Sequence, residues 1–190
     1  MKIIIHWLPP ISAICIYLAR VLELRTNRQT IAGTIRENLT LRLFISIGTV
    51  MLVGSMAEYL LLRKSVSWPF FASGWAVALF SFYVRRSAIA ALGRFWSLHV
   101  EIRDNHELVR EGPFRWVRHP AYFSMILEIL SLSLLLQSWW TTLFVYAAFL
   151  PTLFARIRIE EKALIEKFGD AYRQYRRKVP AIFPYKSPCT

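Results

Sequence analysis

The sequence predicts an all-α integral membrane protein with about five transmembrane helices. Of its 190 residues 55% are hydrophobic, yet it carries 24 Lys and Arg residues against 12 Asp and Glu residues. A soluble domain is rarely both so apolar and so basic, whereas apolar spans joined by basic loops account for both properties. Three segments, 25–42, 85–118 and 156–190, hold 20 of the 24 basic residues. Five spans would place all three segments on one side of the membrane, so span number and charge distribution agree.

The charge distribution also predicts an orientation and argues against nucleic acid as a partner. Lys and Arg are enriched in cytoplasmic loops, so we predict that the three basic segments are cytoplasmic and that the N-terminus lies on the opposite side. A net charge of +12 is also typical of nucleic-acid-binding proteins. Here the basic residues flank apolar stretches instead of covering one face. We therefore predict a multi-pass protein in contact with membrane lipid, without a nucleic-acid partner.

Five apolar stretches are the predicted spans. The first three are residues 3–24, 41–62 and 69–84. Residues 121–155 form one long apolar stretch, which Gln137-Ser138 divides into two spans of about 16 residues each. Because such spans barely cross a hydrocarbon core of about 30 Å, we expect them to form a tight helical hairpin. Glycines of the second span, Gly48 and Gly54, would permit close contact between helices.

Some charged residues lie inside these spans or at their ends. Arg20 and Glu23 are three residues apart, so we expect them to pair. Glu58 is a functional candidate by default because it is a carboxylate in a span, but Arg63 and Lys64 are close enough to pair with it. Glu128 lies inside the fourth span and is expected to face protein rather than lipid.

Two polar regions complete the predicted architecture. Residues 85–120 form a long polar segment, within which 98–111 is typical of a surface loop or a short strand. From Arg156 the chain is polar and helical as far as Gly169, a residue suited to a helix C-terminus. Asp170 can cap a second short helix, which Pro180 ends.

Residues 112–122, GPFRWVRHPAY, gather reactive side chains at a predicted membrane edge. Gly112-Pro113 indicates a turn, and Pro120 suits the first turn of the apolar helix that follows, because it lacks an amide hydrogen. His119 is thereby placed at a helix entrance beside Tyr122. Basic and aromatic residues together are equally typical of an interfacial anchor, so a structural role and a catalytic role are both open.

The sequence lacks the motifs of the common nucleotide and metal sites. No two of the seven glycines are separated by a single residue, which argues against a Rossmann fingerprint and a P-loop. There is no HExxH motif, and the spacing of the four histidines does not resemble a metal site. Cys15 and Cys189 are too far from other ligands to form a zinc site or a disulfide framework. We therefore predict no metal.

Arg156 and Glu160 are four residues apart and hence lie on one face of a helix. One interpretation is a simple ion pair, although Arg before Glu is the less favourable order. The other is that the pair faces a shared cavity, where Glu160 would hold a cationic group and Arg156 an anionic one.

Two stretches together resemble the isoprenylcysteine carboxyl methyltransferase family. They are residues 108–122, LVREGPFRWVRHPAY, and residues 156–180, RIRIEEKALIEKFGDAYRQYRRKVP. The resemblance implies a membrane methyltransferase in which a cytosolic loop and C-terminal helices close over S-adenosylmethionine, while a lipophilic or prenylated acceptor enters from the bilayer. On this basis the chain divides into a three-span membrane region, 1–87, and a catalytic region, 88–190.

The resemblance also implies roles for individual residues. Arg156 would bind and orient the carboxylate of the acceptor, and His119 is a second catalytic candidate, as the base that an amine or thiol acceptor would need. Two positions depart from the family pattern, since His99 and Phe114 stand where other residue types are common. The residues implied to bind the cofactor are His106, Leu108, Val109, His119, Pro120, Ala121, Tyr122 and Glu160.

The chemistry of these residue types agrees with methyl transfer. A sulfonium methyl donor is already activated, so transfer needs alignment and desolvation more than acid–base help. A carboxylate acceptor is ionised at neutral pH and needs no base, and an arginine can position it through two hydrogen bonds.

Two alternatives remain open on the sequence. The C-terminal segments also resemble those of NADPH-dependent membrane reductases of the sterol type. In those reductases an Asn usually stands between the Pro and the Tyr of the motif, where this chain has Ala121. They also carry an Arg-Asp block where Glu160-Glu161 stand. A non-catalytic membrane scaffold is the third possibility, and it predicts that Arg156, Glu160 and His119 contribute only stability.

Overall fold

The computed structural model describes residues 5–25, 33–35, 39–96, 101–103 and 108–188, and most of these are helical. The long helices are α1 Leu8–Arg25, α2 Leu39–Leu61, α3 Trp68–Leu92, α4 Pro120–Leu136 and α5 Trp139–Phe168, followed by the short helix α6 Asp170–Lys178. Single 3₁₀ turns occupy Gly93–Phe95 and Gly112–Arg115. The strands β1 Gly33–Ile35 and β2 Glu101–Arg103 pair in antiparallel register. The strand β2 lies within residues 98–111, for which the sequence left both a surface loop and a short strand open.

In the part of the chain that the structure describes, three helices are long and apolar enough to cross a membrane. They are α2, α3 with its 3₁₀ turn, and α5, whereas α4 is a shorter apolar helix of 17 residues. The predicted membrane character is therefore borne out by the helices themselves. Five as the number of spans stays a prediction.

Two helices extend beyond the predicted ends of their spans. The third span was expected to end at residue 84, but α3 continues to Leu92 and includes Arg85. The guanidinium of Arg85 lies 3.2 Å from Glu23 and stacks over the ring of Trp96, so its charge is accommodated inside the bundle. The fifth span and the polar helix after it are one continuous helix, α5, of 30 residues. Charged residues such as Arg, Glu and Lys are good helix formers, so the change in polarity at Arg156 marks a change of surroundings and not a helix end.

Small residues bring the helices into close contact. A Cβ atom on Gly74 of α3 would lie 2.7 Å from Leu135 Cγ of α4, and one on Gly54 of α2 would lie 2.8 Å from Thr141 Cγ2 of α5. The contact at Gly54 confirms its expected use, and both glycines let the helix backbones approach each other closely. The buried core includes Ile16, Met51, Tyr59, Leu132, Leu136, Phe149 and Leu153.

The charged residues predicted to lie in the spans are paired. Arg20 contacts Glu23 at 2.5 Å and Glu128 at 2.7 Å, which joins α1 to α4. Glu128 therefore faces protein, as expected. Glu58 contacts Lys64 at 2.7 Å and accepts hydrogen bonds from the backbone and hydroxyl of Thr141. Each of these carboxylates thus has a structural partner, which is how charge is tolerated at membrane depth.

Candidate active site

The two sequence motifs meet where α4 begins. The backbone N–H of Arg118 donates to the carbonyl of Pro180, and that of His119 donates to the carbonyl of Ala181, both at 2.9 Å. Pro120 then occupies the first position of α4, where no amide hydrogen is needed. These two hydrogen bonds attach the segment after α6 to the N-terminus of α4. His119 is buried there, with 4% of its surface exposed.

The imidazole of His119 lies between two carboxylates of α5. Its Nδ1 is 3.7 Å from Glu160 Oε1, and its Nε2 is 3.3 Å from Glu161 Oε1. Its ring stacks on Tyr122, with the ring centres 5.5 Å apart. Burial lowers the pKa of His119, but Glu160 and Glu161 together outweigh that effect, so its pKa is raised above the usual value. The imidazole is accordingly biased toward its cationic form.

The hydroxyl of Tyr122 joins Arg156 to Glu160. It donates to Glu160 Oε2 at 2.5 Å and accepts from Arg156 Nε at 2.9 Å. The two residues predicted to share a helical face thus converge on one phenol oxygen. Arg156 is buried, whereas a third of the Glu160 side chain is exposed. The site therefore presents an anionic group and a cationic group on either side of Tyr122.

Arg156 is also held by α2. Its Nη1 donates to the hydroxyl of Thr40 at 2.6 Å, and its guanidinium lies 5.9 Å from the centre of the Phe44 ring. The sequence contains no signal for this contribution, because Thr40 and Phe44 lie in a stretch without a recognisable motif.

Arg118 and Glu161 fasten α6 to the site, and neither had a predicted role. Glu161 contacts Arg118 Nη2 at 2.6 Å and Arg176 Nε at 3.1 Å. Arg118 Nη1 donates to the carbonyls of Arg176, at 3.0 Å, and of Val179. The sequence offered two signals for these residues: Arg118 lies within the first motif, and Glu161 lies next to Glu160.

The remaining predicted residues are distributed around this centre. Leu108 packs against the buried cluster of Tyr172, Tyr175 and Val179. Val109 and Ala121 are partly exposed and Pro120 is buried. The carbonyl of Phe114 accepts a hydrogen bond from Tyr175 at 2.7 Å, which is a structural contact. His99 and His106 lie outside the described residues.

These residues fit the cofactor that the family resemblance implies. The exposed part of Glu160 suits the ammonium of a methionine group, and the partly buried side chains of Leu108 and Val109 suit an apolar surface. In the described part of the chain the buried hydroxyl of Tyr172 has no hydrogen-bond partner, and a polar ligand could supply one.

Comparison with known proteins gives consistent matches. The model of the isoprenylcysteine carboxyl methyltransferase (ICMT) family matches residues 74–166. The uncharacterized protein YpbQ of Bacillus subtilis is 37% identical over 127 residues, which cover 64% of this chain and 72% of YpbQ. A protein-S-isoprenylcysteine O-methyltransferase of Schizosaccharomyces pombe is 36% identical over 104 residues, covering 54% of this chain and 44% of that protein.

A solved structure is similar as well. It is that of the eukaryotic intramembrane Ras methyltransferase ICMT, with a TM-score of 0.62 and 25% identity over 75% of this chain and 53% of that chain. The chain thus spans about half the length of the ICMT proteins that it matches. The likeness confirms the predicted helical membrane fold.

Proposed function

The chain belongs to the isoprenylcysteine carboxyl methyltransferase family, and from this premise we propose that it transfers a methyl group from S-adenosylmethionine to a lipophilic acceptor. The acceptor group that we propose is a carboxylate of the isoprenylcysteine type, reached from the bilayer. The family predicted from the two motifs is confirmed, and the reductase alternative is not favoured by any of these matches.

The arrangement of Arg156, Tyr122 and Glu160 carries the proposal. A carboxylate and a guanidinium share one phenol oxygen, at 2.5 Å and 2.9 Å. Glu160 supplies the negative charge that the ammonium of the cofactor needs. Arg156 supplies the positive charge that the acceptor carboxylate needs, and a guanidinium can hold a carboxylate in one orientation. The two substrates would thus meet on either side of Tyr122.

The protein residues align groups rather than move protons. Bound S-adenosylmethionine, with its ammonium held by Glu160, would supply an activated methyl group to the carboxylate that Arg156 orients, which would give a methyl ester and S-adenosylhomocysteine. His119 is held between Glu160 and Glu161 with a raised pKa, so we propose that it positions these carboxylates instead of acting as a base. This favours a carboxylate acceptor over an amine or a thiol.

The proposal includes the placement of the site. Leu108, Val109, His119, Pro120, Ala121, Tyr122 and Glu160 would bind the cofactor, as would His106. The catalytic region is residues 88–190, on the cytoplasmic side that the basic segments indicate, and the membrane region 1–87 supplies Thr40. The N-terminus would then lie on the other side.

Calorimetric titration of the detergent-purified protein tests cofactor use. We expect saturable binding of S-adenosylhomocysteine and no binding of NADPH. Glu160→Gln should weaken the binding because it removes the charge that faces the ammonium, whereas Arg156→Ala should leave it unchanged. Binding of NADPH instead would support the reductase, and binding of neither would support the scaffold.

Methyl transfer to N-acetyl-S-farnesylcysteine tests the acceptor. A methyl ester releases methanol in alkali, whereas a methylated amine or thioether does not, so base-labile radioactivity from a labelled donor identifies the product. The amide of the same compound, which lacks the carboxylate, is the matched control. Arg156→Ala should lower turnover with the acid, and full activity in that variant would contradict the role given to Arg156.

A further inference from the structure

Two tyrosines of α6 have contrasting surroundings. Tyr172 and Tyr175 are 1% and 3% exposed, and their rings meet edge to face with centres 6.0 Å apart. The hydroxyl of Tyr175 donates to the carbonyl of Phe114 at 2.7 Å. The hydroxyl of Tyr172 is equally buried but has no hydrogen-bond partner in the part of the chain that the structure describes. Buried hydroxyls in folded proteins are nearly always hydrogen-bonded, so this donor calls for a partner.

The surroundings of Tyr172 belong to the proposed cofactor site. Its cluster includes Leu108, which is proposed to line that site. Its charged neighbours are Glu161, Arg118 and Glu160. Burial, followed by the charge of Glu161, raises the pKa of Tyr172 far above its usual value, so the phenol stays neutral and keeps its proton. Tyr172 is therefore a hydrogen-bond donor close to Glu161, the residue that follows the carboxylate proposed to bind the ammonium.

The nearby arginine is already engaged. Arg118 Nε and Nη2 donate to Glu161, at 2.9 Å and 2.6 Å, and its Nη1 donates to the carbonyls of Arg176 and Val179. Every nitrogen of this guanidinium thus has a protein acceptor. Among the described residues at this end of the site, the hydroxyl of Tyr172 is a buried donor without a hydrogen-bond partner.

We propose that the hydroxyl of Tyr172 donates a hydrogen bond to the carboxylate of the methionine part of S-adenosylmethionine. This assignment rests on the proposed function. The ammonium and the carboxylate of that group are bonded to the same carbon, so a donor for the carboxylate must lie close to Glu160, the proposed partner of the ammonium. Tyr172 is then a cofactor-binding residue contributed by α6, and it makes the site selective for a cofactor that carries this carboxylate.

Titration with two ligands tests the assignment. S-adenosylhomocysteine and its decarboxylated analogue, in which hydrogen replaces the carboxylate, are titrated into the wild-type protein and into Tyr172→Phe. We expect Tyr172→Phe to weaken binding of the first ligand by about tenfold or more, because the lost hydrogen bond has a charged acceptor. Its affinity for the decarboxylated analogue should not change. The ligand-free melting temperature should not fall, since the hydroxyl has no partner to lose.

Tyr175→Phe is the matched control on the same helix. It removes the hydrogen bond to Phe114, so the melting temperature should fall while the ratio of the two affinities stays as in the wild type. Equal affinities of the wild type and Tyr172→Phe for S-adenosylhomocysteine would overturn the assignment alone. An equal loss for both ligands would overturn it too, because the hydroxyl would then not recognise the carboxylate. Failure of the wild type to bind S-adenosylhomocysteine would overturn the proposed function itself.

Discussion

Arg118 and Glu161 are joined by two hydrogen bonds to one oxygen, with Arg118 Nη2 and Nε 2.6 Å and 2.9 Å from Glu161 Oε1. Their side chains are 9% and 7% exposed. Arg118 precedes α4, Glu161 belongs to α5, and the same guanidinium donates to carbonyls at the end of α6. A single buried pair therefore connects the three segments that surround the candidate site.

Glu161→Gln should destabilise the protein by about 3 kcal/mol, because breaking a buried pair leaves the charge of Arg118 without compensation. Thermal unfolding in detergent measures the loss, and proteolysis should cleave α6 earlier than in the wild type. Asp170→Asn is the control, since the Asp170–Arg173 pair is 84% and 57% exposed. Exposed pairs contribute about 0–1 kcal/mol. Equal stability of the two variants would show that Glu161 does not hold α6 in place.

Thr40→Val should raise the KM for the acceptor about tenfold and leave the Kd for S-adenosylhomocysteine unchanged. The reason is that Arg156 Nη1 loses the hydroxyl acceptor at 2.6 Å and with it a fixed orientation. Steady-state kinetics and calorimetry measure the two constants.

Two further variants of α2 separate this effect from a general loss of stability. Thr40→Ser keeps the hydroxyl and should restore the wild-type KM. Thr49→Val removes a different hydroxyl of α2, one that bonds to Tyr17 and Ile45, and should not affect the KM. If Thr40→Ser behaved like Thr40→Val, a hydroxyl at position 40 would not be enough to keep the wild-type KM, which would contradict the role given to it.

Gly74→Ala should destabilise the bundle by about 1–3 kcal/mol, because overpacking forces neighbouring groups apart. The new Cβ would lie 2.7 Å from Leu135 Cγ and 3.0 Å from the backbone nitrogen of Leu135, which cannot move without moving α4. Gly48→Ala is the control, since its Cβ would come no closer than 3.9 Å to Tyr17. The melting temperatures of the two variants should differ clearly, and similar values would mean that α3 and α4 pack less closely than described.

The stabilisation contributed by His119 should decline as the pH rises. Its pKa in the folded protein is raised above the usual 6.5, mainly by Glu160 against the opposing effect of burial. A raised pKa stabilises the folded state fully below about pH 6.5, and this contribution is lost as the pH passes through the higher folded-state value. The melting temperatures of the wild type and His119→Gln, compared from pH 6 upward, should therefore converge. A constant difference would show that the imidazole is neutral in the folded protein.

Much of the fold followed from composition and periodicity. The bilayer requires long apolar stretches joined by basic loops. Each of these features can be recognised in its own stretch of sequence, without knowing which other segment packs against it. The end of α3 was harder to predict, because the charge of Arg85 is compensated by Glu23, which is distant in the sequence. Its guanidinium also stacks on Trp96, which lies beyond the end of the helix. The continuity of α5 was missed for a different reason, since the polarity changes at Arg156 although the helix does not end there.

Residues of the candidate site were predictable where they belong to a recognisable motif. The motifs pointed to His119, Tyr122, Arg156 and Glu160, and the structure brings these four together. Thr40 could not be found in this way, because its role depends on how α2 packs against α5. The pairing of Arg118 with Glu161 likewise depends on the meeting of three segments. The spacing of residues within one helix does not indicate such a meeting.

The length of α5 has a consequence for where the candidate site stands relative to the lipid. Thirty residues make a rod of about 45 Å, against a hydrocarbon core of about 30 Å. Trp139 and Trp140, which are 47% and 66% exposed at one end, are the kind of residues that anchor a helix at the membrane surface. Glu160 and Glu161 lie near the other end of the same rod. Bilayer thickness and helix tilt therefore affect the height at which Glu160 and Glu161 stand relative to the lipid.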